Sequence, residues 1–155
     1  MNKKQKNLNN KGFSLVELII VIAIMAVLVG VLAPQFLKYV ERSRKSTDVQ
    51  NVASIISACD VYAADPMVAT ADQLKTGDTI TLKAGGSTPV PDSPTNTIEK
   101  ALKSAGIASY GLKSTEWAAS SADLVLKITV TNGVPSYEIT TTQQAGNDIL
   151  KGTYK

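Results

Sequence analysis

Hydrophobic positions are concentrated near the amino terminus of the chain, where they form one uninterrupted run. Leu18 to Ala33 contains no charged or hydrogen-bonding side chain, and extension back to Phe13 gives 21 residues interrupted only by Ser14 and Glu17. As a helix, 21 residues span about 31 Å, close to the thickness of one bilayer core. The pattern predicts a single membrane-spanning helix or, alternatively, the apolar region of a secretory signal peptide.

The helical pattern continues beyond the apolar run as far as the Asp65-Pro66 pair, where proline favours a stop. Within this second part, apolar residues recur at steps of three and four, the spacing of one helix face. The positions are Val49, Val52, Ile56, Cys59 and Ala63. We therefore expect one helix from Phe13 to about Ala64, apolar in its first half and amphipathic in its second.

The rest of the chain, from Met67 to Lys155, predicts one small head. Asn132-Gly133 indicates a tight hairpin turn, and Pro135 indicates an edge strand. Alternation and turn residues predict strands at Thr79–Lys83, Asp123–Thr131 and Val134–Thr140, a loop at Gly85–Asn96, and a helix at Thr97–Ala105 closed by Gly106. Ile149, Leu150 and Tyr154 should fix the tail. The predicted fold class is α+β, with a long helix packed on a small antiparallel sheet of three or four strands.

Composition excludes several kinds of chemistry. The chain has no histidine, so histidine-based acid–base catalysis and metal ligation are ruled out. Its single cysteine allows neither an internal disulfide nor a cysteine-based zinc site. Removing the four lysines of the first twelve residues from 16 basic and 13 acidic residues leaves 12 and 13, so the basic character belongs to the amino terminus. We expect no cofactor, no metal and no enzymatic activity.

The remaining charged side chains predict solvated surfaces rather than a site. We expect ion pairs one helical turn apart between Glu41 and Lys45, Arg44 and Asp48, and Glu99 and Lys103. The acids Asp60, Asp65, Asp72 and Asp78 are scattered along helix and loops, without the spacing of a ligand set. Cys59 lies on the apolar stripe, which predicts a small buried hydrophobe rather than a reactive thiol.

Glu17 is the unusual residue of the apolar run. A charge close to a membrane segment costs free energy, so its presence indicates a function, the alternative being a side chain that snorkels to the headgroups. An ordinary signal peptide has no reason to carry it. Cleavage after Ala33 would also place Pro34 next to the cut, where its ring hinders a protease.

The residues around Glu17 carry a family resemblance. Gly12, Phe13 and Glu17 follow a short basic leader and open the apolar run, which ends near Pro34. This arrangement resembles the class III signal peptide of type IV prepilins over about the first 45 residues. The resemblance implies that a prepilin peptidase cleaves between Gly12 and Phe13 and that the new amine of Phe13 is N-methylated. It also implies that Glu17 pairs with the amino terminus of Phe13 in a neighbouring subunit.

The resemblance implies a domain plan and a set of partners. The plan has four parts: a cleaved leader (1–12), a transmembrane or filament-core helix (13–35), an amphipathic stem (36–65) and a globular head (66–155). Gly30 and Pro34 form an expected weak point of the helix, because Pro34 cannot donate to the Gly30 carbonyl. The expected partners are copies of the chain itself, the membrane before assembly, prepilin peptidase, the assembly platform protein and its ATPase, and minor pilins.

The expected function is that of a structural subunit of a type IV pilus. The subunit would span the cytoplasmic membrane once, with its leader inside, and then join an extracellular filament. Lysine and arginine counts do not decide the orientation, since Lys38, Arg42, Arg44 and Lys45 beyond the run match the four lysines of the leader. The lone Cys59 cannot form the disulfide of many Gram-negative pilins, which suggests a Gram-positive type or an unusual lineage. The alternatives are a major pseudopilin of a type II secretion system and a single-span anchored binding protein.

Overall fold

A computed structural model describes residues 12–115, 117, 123–141 and 152–154. Its elements are two helices and six strands, in the order α1 (Leu15–Ala64), β1 (Thr79–Leu82), β2 (Thr88–Pro89), α2 (Thr97–Ser104), β3 (Ser109–Tyr110), β4 (Leu124–Thr131), β5 (Val134–Thr141) and β6 (Gly152–Tyr154). A long apolar helix accompanies a small antiparallel sheet. The α+β, pilin-like fold class expected from the sequence is confirmed.

The long helix α1 runs without a break through Pro34. It begins at Leu15, so Phe13 and Ser14 lie outside it, two residues later than the sequence pattern suggested. It ends at Ala64, as predicted, and the Asp65 carboxylate then accepts a hydrogen bond from the backbone N–H of Met67 (2.8 Å). Since the next residue is Pro66, which disfavours helical backbone before it, the helix stops at this pair.

The chain divides into two compact units between Tyr39 and Val40. In the first unit, the described apolar side chains are exposed along the whole first part of α1. The second unit has a buried core, to which α1 contributes Val52, Ile55 and Cys59. The buried helix face centres on Ile55, whereas the sequence pattern had indicated Ile56, which is only half-buried at the edge of the core.

A four-stranded antiparallel sheet forms the main layer of the head, with strand order β1-β4-β5-β6. Along β4, Leu124, Leu126 and Ile128 are fully buried, as their alternation predicted. β4 and β5 are joined by Asn132 and Gly133, both at positive φ (54° and 79°). Two positive φ values in a two-residue loop match the twist of the flanking strands, so the predicted hairpin turn is confirmed.

Two predictions about the sheet are wrong. Pro135 does not mark an edge strand, because β5 lies between β4 and β6. The proline is tolerated because β6 pairs only with Tyr137–Ile139 and leaves the Pro135 position uncovered on that side. The predicted loop Gly85–Asn96 contains β2, which pairs with β3 over two residues. The tail residues Ile149 and Leu150 lie outside the described residues, as does the side chain of Tyr154.

Candidate processing and assembly site

The Gly12–Phe13 peptide bond lies in exposed chain just before α1. Residues 12–14 have no regular secondary structure. The Phe13 side chain is 89% exposed, and no heavy atom lies within 4 Å of the place where a Cβ would stand at Gly12. The bond is therefore open to a protease, and nothing in the described packing requires glycine at this position.

Ser14 and Glu17 cap the first turn of α1 reciprocally. The Ser14 hydroxyl accepts a hydrogen bond from the N–H of Val16 (3.3 Å), and the Glu17 carboxylate accepts one from the N–H of Ser14 (2.8 Å). The arrangement is close to a capping box, but the Ser14 hydroxyl bonds the second helical N–H and not the third; both contacts satisfy donors that the helix leaves free. Glu17 is thus hydrogen-bonded within its own chain, close to the positive end of the helix dipole.

Beyond Glu17, α1 presents apolar side chains on all sides. Leu18, Ile22 and Leu28 are each more than half exposed. By length and composition alone, α1 is the helix among the described residues that can cross a membrane, with a mean hydropathy of 3.1 in its most apolar window. A signal sequence near an amino terminus meets the same criterion of length and hydropathy. The observation therefore supports insertion into a membrane and is shared by retained and cleaved helices.

The suspected weak point of the helix is helical throughout. Gly30 and Pro34 both lie inside α1, and no neighbouring atom comes within 4 Å of a Cβ built at Gly30. Pro34 still removes one intrahelical hydrogen bond, because its nitrogen carries no hydrogen. The pair therefore remains the position where α1 is least reinforced by its own backbone, and its melting stays a prediction.

A second polar cluster, which the sequence did not reveal, lies in the second unit around Asp48 of α1. This side chain is fully buried and accepts hydrogen bonds from the backbone N–H groups of Lys113 (2.7 Å) and Ser114 (2.8 Å) and from Trp117 Nε1 (2.7 Å). Three donors compensate the desolvation of a buried carboxylate. Asp48 therefore fastens segment 112–117 to α1, instead of forming the exposed pair with Arg44 that we predicted.

The neighbours of Asp48 also differ from the predicted ion pairs. Glu41 accepts a hydrogen bond from the Ser114 hydroxyl and pairs with Arg44 (3.4 Å), three residues away, whereas Lys45 lies over the Trp117 ring at 5.3 Å from its centroid. Ser114, the partner of Glu41, and Trp117, the partner of Lys45, both belong to segment 112–117. Sequence spacing within one helix could not reveal them, since the segment comes from a distant part of the chain.

Of the acids predicted to be solvated, Asp60 and Asp65 are exposed, but several of the four also accept hydrogen bonds from other residues. Asp60 accepts from the Tyr137 hydroxyl (2.6 Å), Asp72 pairs with Lys100 (2.6 Å), and Asp78 accepts from the N–H of Lys75. The predicted ion pair between Glu99 and Lys103 is wrong. Glu99 accepts a hydrogen bond from the Tyr110 hydroxyl (2.8 Å), and Lys103 donates one to the Asp92 carbonyl. Asp60, Asp72 and Glu99 thus connect segments that are distant in the sequence.

Burial and these acids shift the pKa values of the neighbouring neutral groups. Desolvation, followed by the negative charge of Asp60, raises the pKa of the Cys59 thiol to about 12. Desolvation and the hydrogen bond to Asp60 also raise the pKa of Tyr137. Cys59 is fully buried, and a thiol with such a pKa stays protonated at neutral pH, as expected for an inert core residue.

Among the described residues, no group of three or more potential metal ligands is present. The described part of the head has a cleft of about 360 Å³, whose lining includes Asn51, Ser54, Gly86, Gly111 and Leu112. Its polar lining consists of hydroxyls, an amide and Lys113, without a nucleophile–base pair.

The comparisons with known proteins agree with the amino-terminal geometry. Residues 7–33 match the family model described as the prokaryotic N-terminal methylation motif. The type IV major pilin protein PilA of Myxococcus xanthus (strain DK1622) is 36% identical over 58 residues, which are 37% of this chain and 26% of that protein. The fimbrial protein EcpC of Eikenella corrodens is 36% identical over 101 residues, which are 63% of this chain and 66% of that protein. No solved structure gives a significant match.

The motif, the long apolar helix and the small antiparallel sheet define a protein with a prepilin-type amino terminus. The pilin and fimbrial relatives make the chain similar to type IV pilins. The matches span about a quarter and just under two thirds of those relatives. The predicted Gram-positive type is not tested by them.

Proposed function

We propose that this chain is a structural subunit of a type IV pilus, a filament that serves motility, adhesion, biofilm formation or DNA uptake. The proposal is carried by three features that occur together at the amino-terminal end of α1. They are an exposed Gly12–Phe13 bond, a glutamate in the first helical turn, and an exposed apolar helix. An apolar surface of this extent has to be covered by lipid or by other subunits. We assign the chain no enzymatic activity.

Processing begins the proposed sequence of events. Prepilin peptidase would hydrolyse the bond between Gly12 and Phe13 on the cytoplasmic side, and a methyl group would be added to the new amine of Phe13. The exposure of residues 12–14 supports this, because a protease needs extended, accessible backbone. The leader, residues 1–12, would remain inside the cell, and the helix, residues 13–35, would span the membrane.

Assembly would follow through Glu17. In the filament, its carboxylate would pair with the amine of Phe13 in a neighbouring subunit. A carboxylate and an amine that are each costly in an apolar environment become tolerable as a pair. The contact joins two different surfaces of identical chains, and such heterologous interfaces generate open-ended polymers.

The domain plan and the partners complete the proposal. The amphipathic stem (36–65) and the head (66–155) would lie outside the membrane and then on the filament surface. An assembly platform protein with its ATPase, together with minor pilins, would drive polymerisation. Melting between Gly30 and Pro34 would let the helix adapt when the subunit leaves the bilayer.

The experiment that tests the proposal is Glu17→Ala in the producing cell. Processing and membrane insertion should proceed, while the sheared surface fraction should lose its filaments, because the amine of Phe13 has no carboxylate partner. Glu138→Ala, which removes an exposed acid from β5, is the matched control and should keep filaments. Mass spectrometry of the amino terminus gives the second readout, with methylated Phe13 expected in both variants.

Normal filaments from Glu17→Ala would remove Glu17 from the mechanism. A chain that still begins at Met1 in the wild type would contradict the pilin assignment of the cleavage site and support a simple anchored protein. Electron microscopy separates the main alternative, a major pseudopilin, because pili extend from the cell surface.

A further inference from the structure

We propose that the cleft of about 360 Å³ in the second unit binds a neutral sugar residue of a glycan. One wall of the cleft is the part of α1 that carries Asn51 and Ser54, and the other is the chain around β3, from Ile107 to Lys113. The described lining residues lie between positions 51 and 113, so the cleft belongs to the second unit alone. The proposal goes beyond the role of a filament subunit and does not depend on polymerisation.

The far wall of the cleft is set by close backbone contacts. Gly111 adopts φ +151°, and a Cβ built there would overlap the carbonyl oxygen of Gly86. A side chain at position 111 would therefore push these two segments apart. The next residue, Leu112, is held by its backbone N–H, which donates to the Lys83 carbonyl (3.0 Å). The cleft is thus formed by the fold itself, as is usual for ligand pockets.

The polar groups of the lining have the hydrogen-bonding character that sugar hydroxyls require. The Asn51 side chain is half-buried, and among the described residues no group bonds its carboxamide, which has two donors and an acceptor. Ser87 and Ser109 add exposed hydroxyls, which both donate and accept. The Ser54 hydroxyl donates to the Gln50 carbonyl (3.0 Å), which leaves its oxygen as an acceptor. A half-buried amide without a protein partner needs water or a ligand.

The lining also offers apolar surface to the faces of a sugar ring. Ile55, Ile107 and Leu112 contribute to it, and Ile107 remains partly exposed. A pyranose carries hydroxyls around its edge and C–H groups on its faces, so a lining of amide, hydroxyl and aliphatic groups matches both. The volume lies at the small end of the range for ligand pockets and admits one sugar ring with its substituents.

Other classes of ligand use this lining less completely. Tyr110 is 8% exposed and its hydroxyl donates to Glu99, so its ring offers no face on which a nucleobase could stack. The described lining contains no carboxylate, so a hard metal ion would lack its preferred ligands. An acyl chain would leave the Asn51 amide and the serine hydroxyls without partners. A neutral ligand rich in hydroxyls is the class that engages the polar and the apolar groups together.

The test is a titration of the full-length chain, held in a sugar-free polyoxyethylene detergent, with the methyl pyranosides of glucose, galactose, mannose and N-acetylglucosamine. Saturation-transfer NMR shows which glycosides bind and gives their affinities. We expect saturable binding of at least one of them. Cyclohexanol, which has a six-membered ring but a single hydroxyl, should bind about tenfold more weakly or less, because it leaves most polar groups of the lining without a partner.

Asn51→Leu keeps the size of the side chain and removes the amide, so it should weaken binding of that glycoside about tenfold. The matched control is Gln50→Leu, which removes an exposed amide from the neighbouring position of the same helix and should change the affinity less than about twofold. Ser54→Phe places an aromatic ring in the cleft and should abolish binding. The fluorescence of Trp117, the only tryptophan of the chain, confirms that each variant is folded.

The proposal is wrong if none of the four glycosides binds, or if cyclohexanol binds as tightly as they do. Equal weakening in Asn51→Leu and Gln50→Leu, or undiminished binding in folded Ser54→Phe, would place the sugar elsewhere on the chain and would also contradict the proposal. A tetra-alanine peptide that binds more tightly than every glycoside would indicate a site for extended peptides instead.

The sugar titration and the Glu17→Ala experiment fail separately. Absence of sugar binding with filaments intact contradicts only the assignment of the cleft. Sugar binding by a wild-type chain that forms no filament contradicts the pilus and leaves a glycan-binding protein with an apolar helix.

Discussion

At the scale of single residues, the two most informative carboxylates differ in how far the sequence could reveal them. Glu17 stands out because it is the only charge in an apolar run, and the structure adds the hydrogen bond to Ser14. Asp48 sits among polar residues and looks like any surface acid, although it is buried and accepts three hydrogen bonds. Its partners come from more than sixty residues away, so helix spacing carried no signal.

Asp48→Ala should lower the free energy of unfolding by about 3 kcal/mol or more, because it leaves three buried donors without an acceptor. Asp48→Asn should cost about 2 kcal/mol, because the amide keeps one acceptor but loses the charge. Guanidinium denaturation of the detergent-solubilised chain, followed by Trp117 fluorescence, measures both. Asp92→Ala, at an exposed loop position, is the control, and an equal loss in that variant would contradict the role of Asp48.

The buried thiol predicts an alkaline limit of stability. The folded-state pKa of Cys59 is about 12 against 9.0 for the free thiol, so between these values the unfolded chain releases a proton that the folded chain retains. Stability should therefore be complete below pH 9 and fall as the pH rises toward 12. Between pH 8 and pH 11, the denaturation midpoint should fall less in Cys59→Ala than in the wild type. Part of the fall should remain in the variant, because the buried tyrosines also contribute to it. If the midpoint fell with pH as steeply in Cys59→Ala as in the wild type, the whole effect would belong to other titrating groups.

At the scale of elements, helices and strands with a long, regular pattern of apolar residues were predicted correctly, and those with a short pattern were not. The helix to Ala64, the strand β1 and the β4–β5 hairpin follow from patterns several residues long. The short strands β2 and β3 pair over two residues each, which is too little for alternation to register. Pro135 misled the edge assignment because β6 covers only part of β5. The extent of β6 cannot be inferred from the sequence of β5.

Gly133→Val should destabilise the head by about 1–2 kcal/mol, because a β-branched residue is strained at φ +79°. Asn132→Gly is the matched control: glycine adopts the φ of 54° found there without strain, so its cost should be only a few tenths of a kcal/mol. Thermal unfolding followed by circular dichroism measures both variants. If Gly133→Val were as stable as the wild type, the turn would have to change its backbone conformation.

At the scale of the whole molecule, the chain combines a unit whose apolar side chains are exposed with a unit that has its own core. The large exposed hydrophobics of the described residues lie mainly between Phe13 and Tyr39, with Val61, Met67 and Val134 as the others. The head relies on packing and on cross-linking acids, since one cysteine cannot form an internal disulfide.

A fragment of residues 40–155 should therefore fold on its own and stay monomeric in water, whereas the full chain should need detergent. Sedimentation analysis gives the mass, and the Trp117 emission maximum should match that of the full chain in detergent. A fragment that is unfolded would show that the first part of α1 contributes to the stability of the head. A fragment that forms defined dimers would reveal a contact surface independent of the apolar helix.

The reciprocal cap at Ser14 and Glu17 bears on how reversible a filament of this chain can be. Before assembly, the carboxylate already accepts a hydrogen bond from its own backbone, so joining a neighbour would exchange an amide donor for an ammonium donor. An exchange of partners yields a smaller net gain than the capture of a bare charge. Each subunit would then be held weakly at this contact, and a filament could shed its subunits back into the bilayer with little energy input for the step at Glu17.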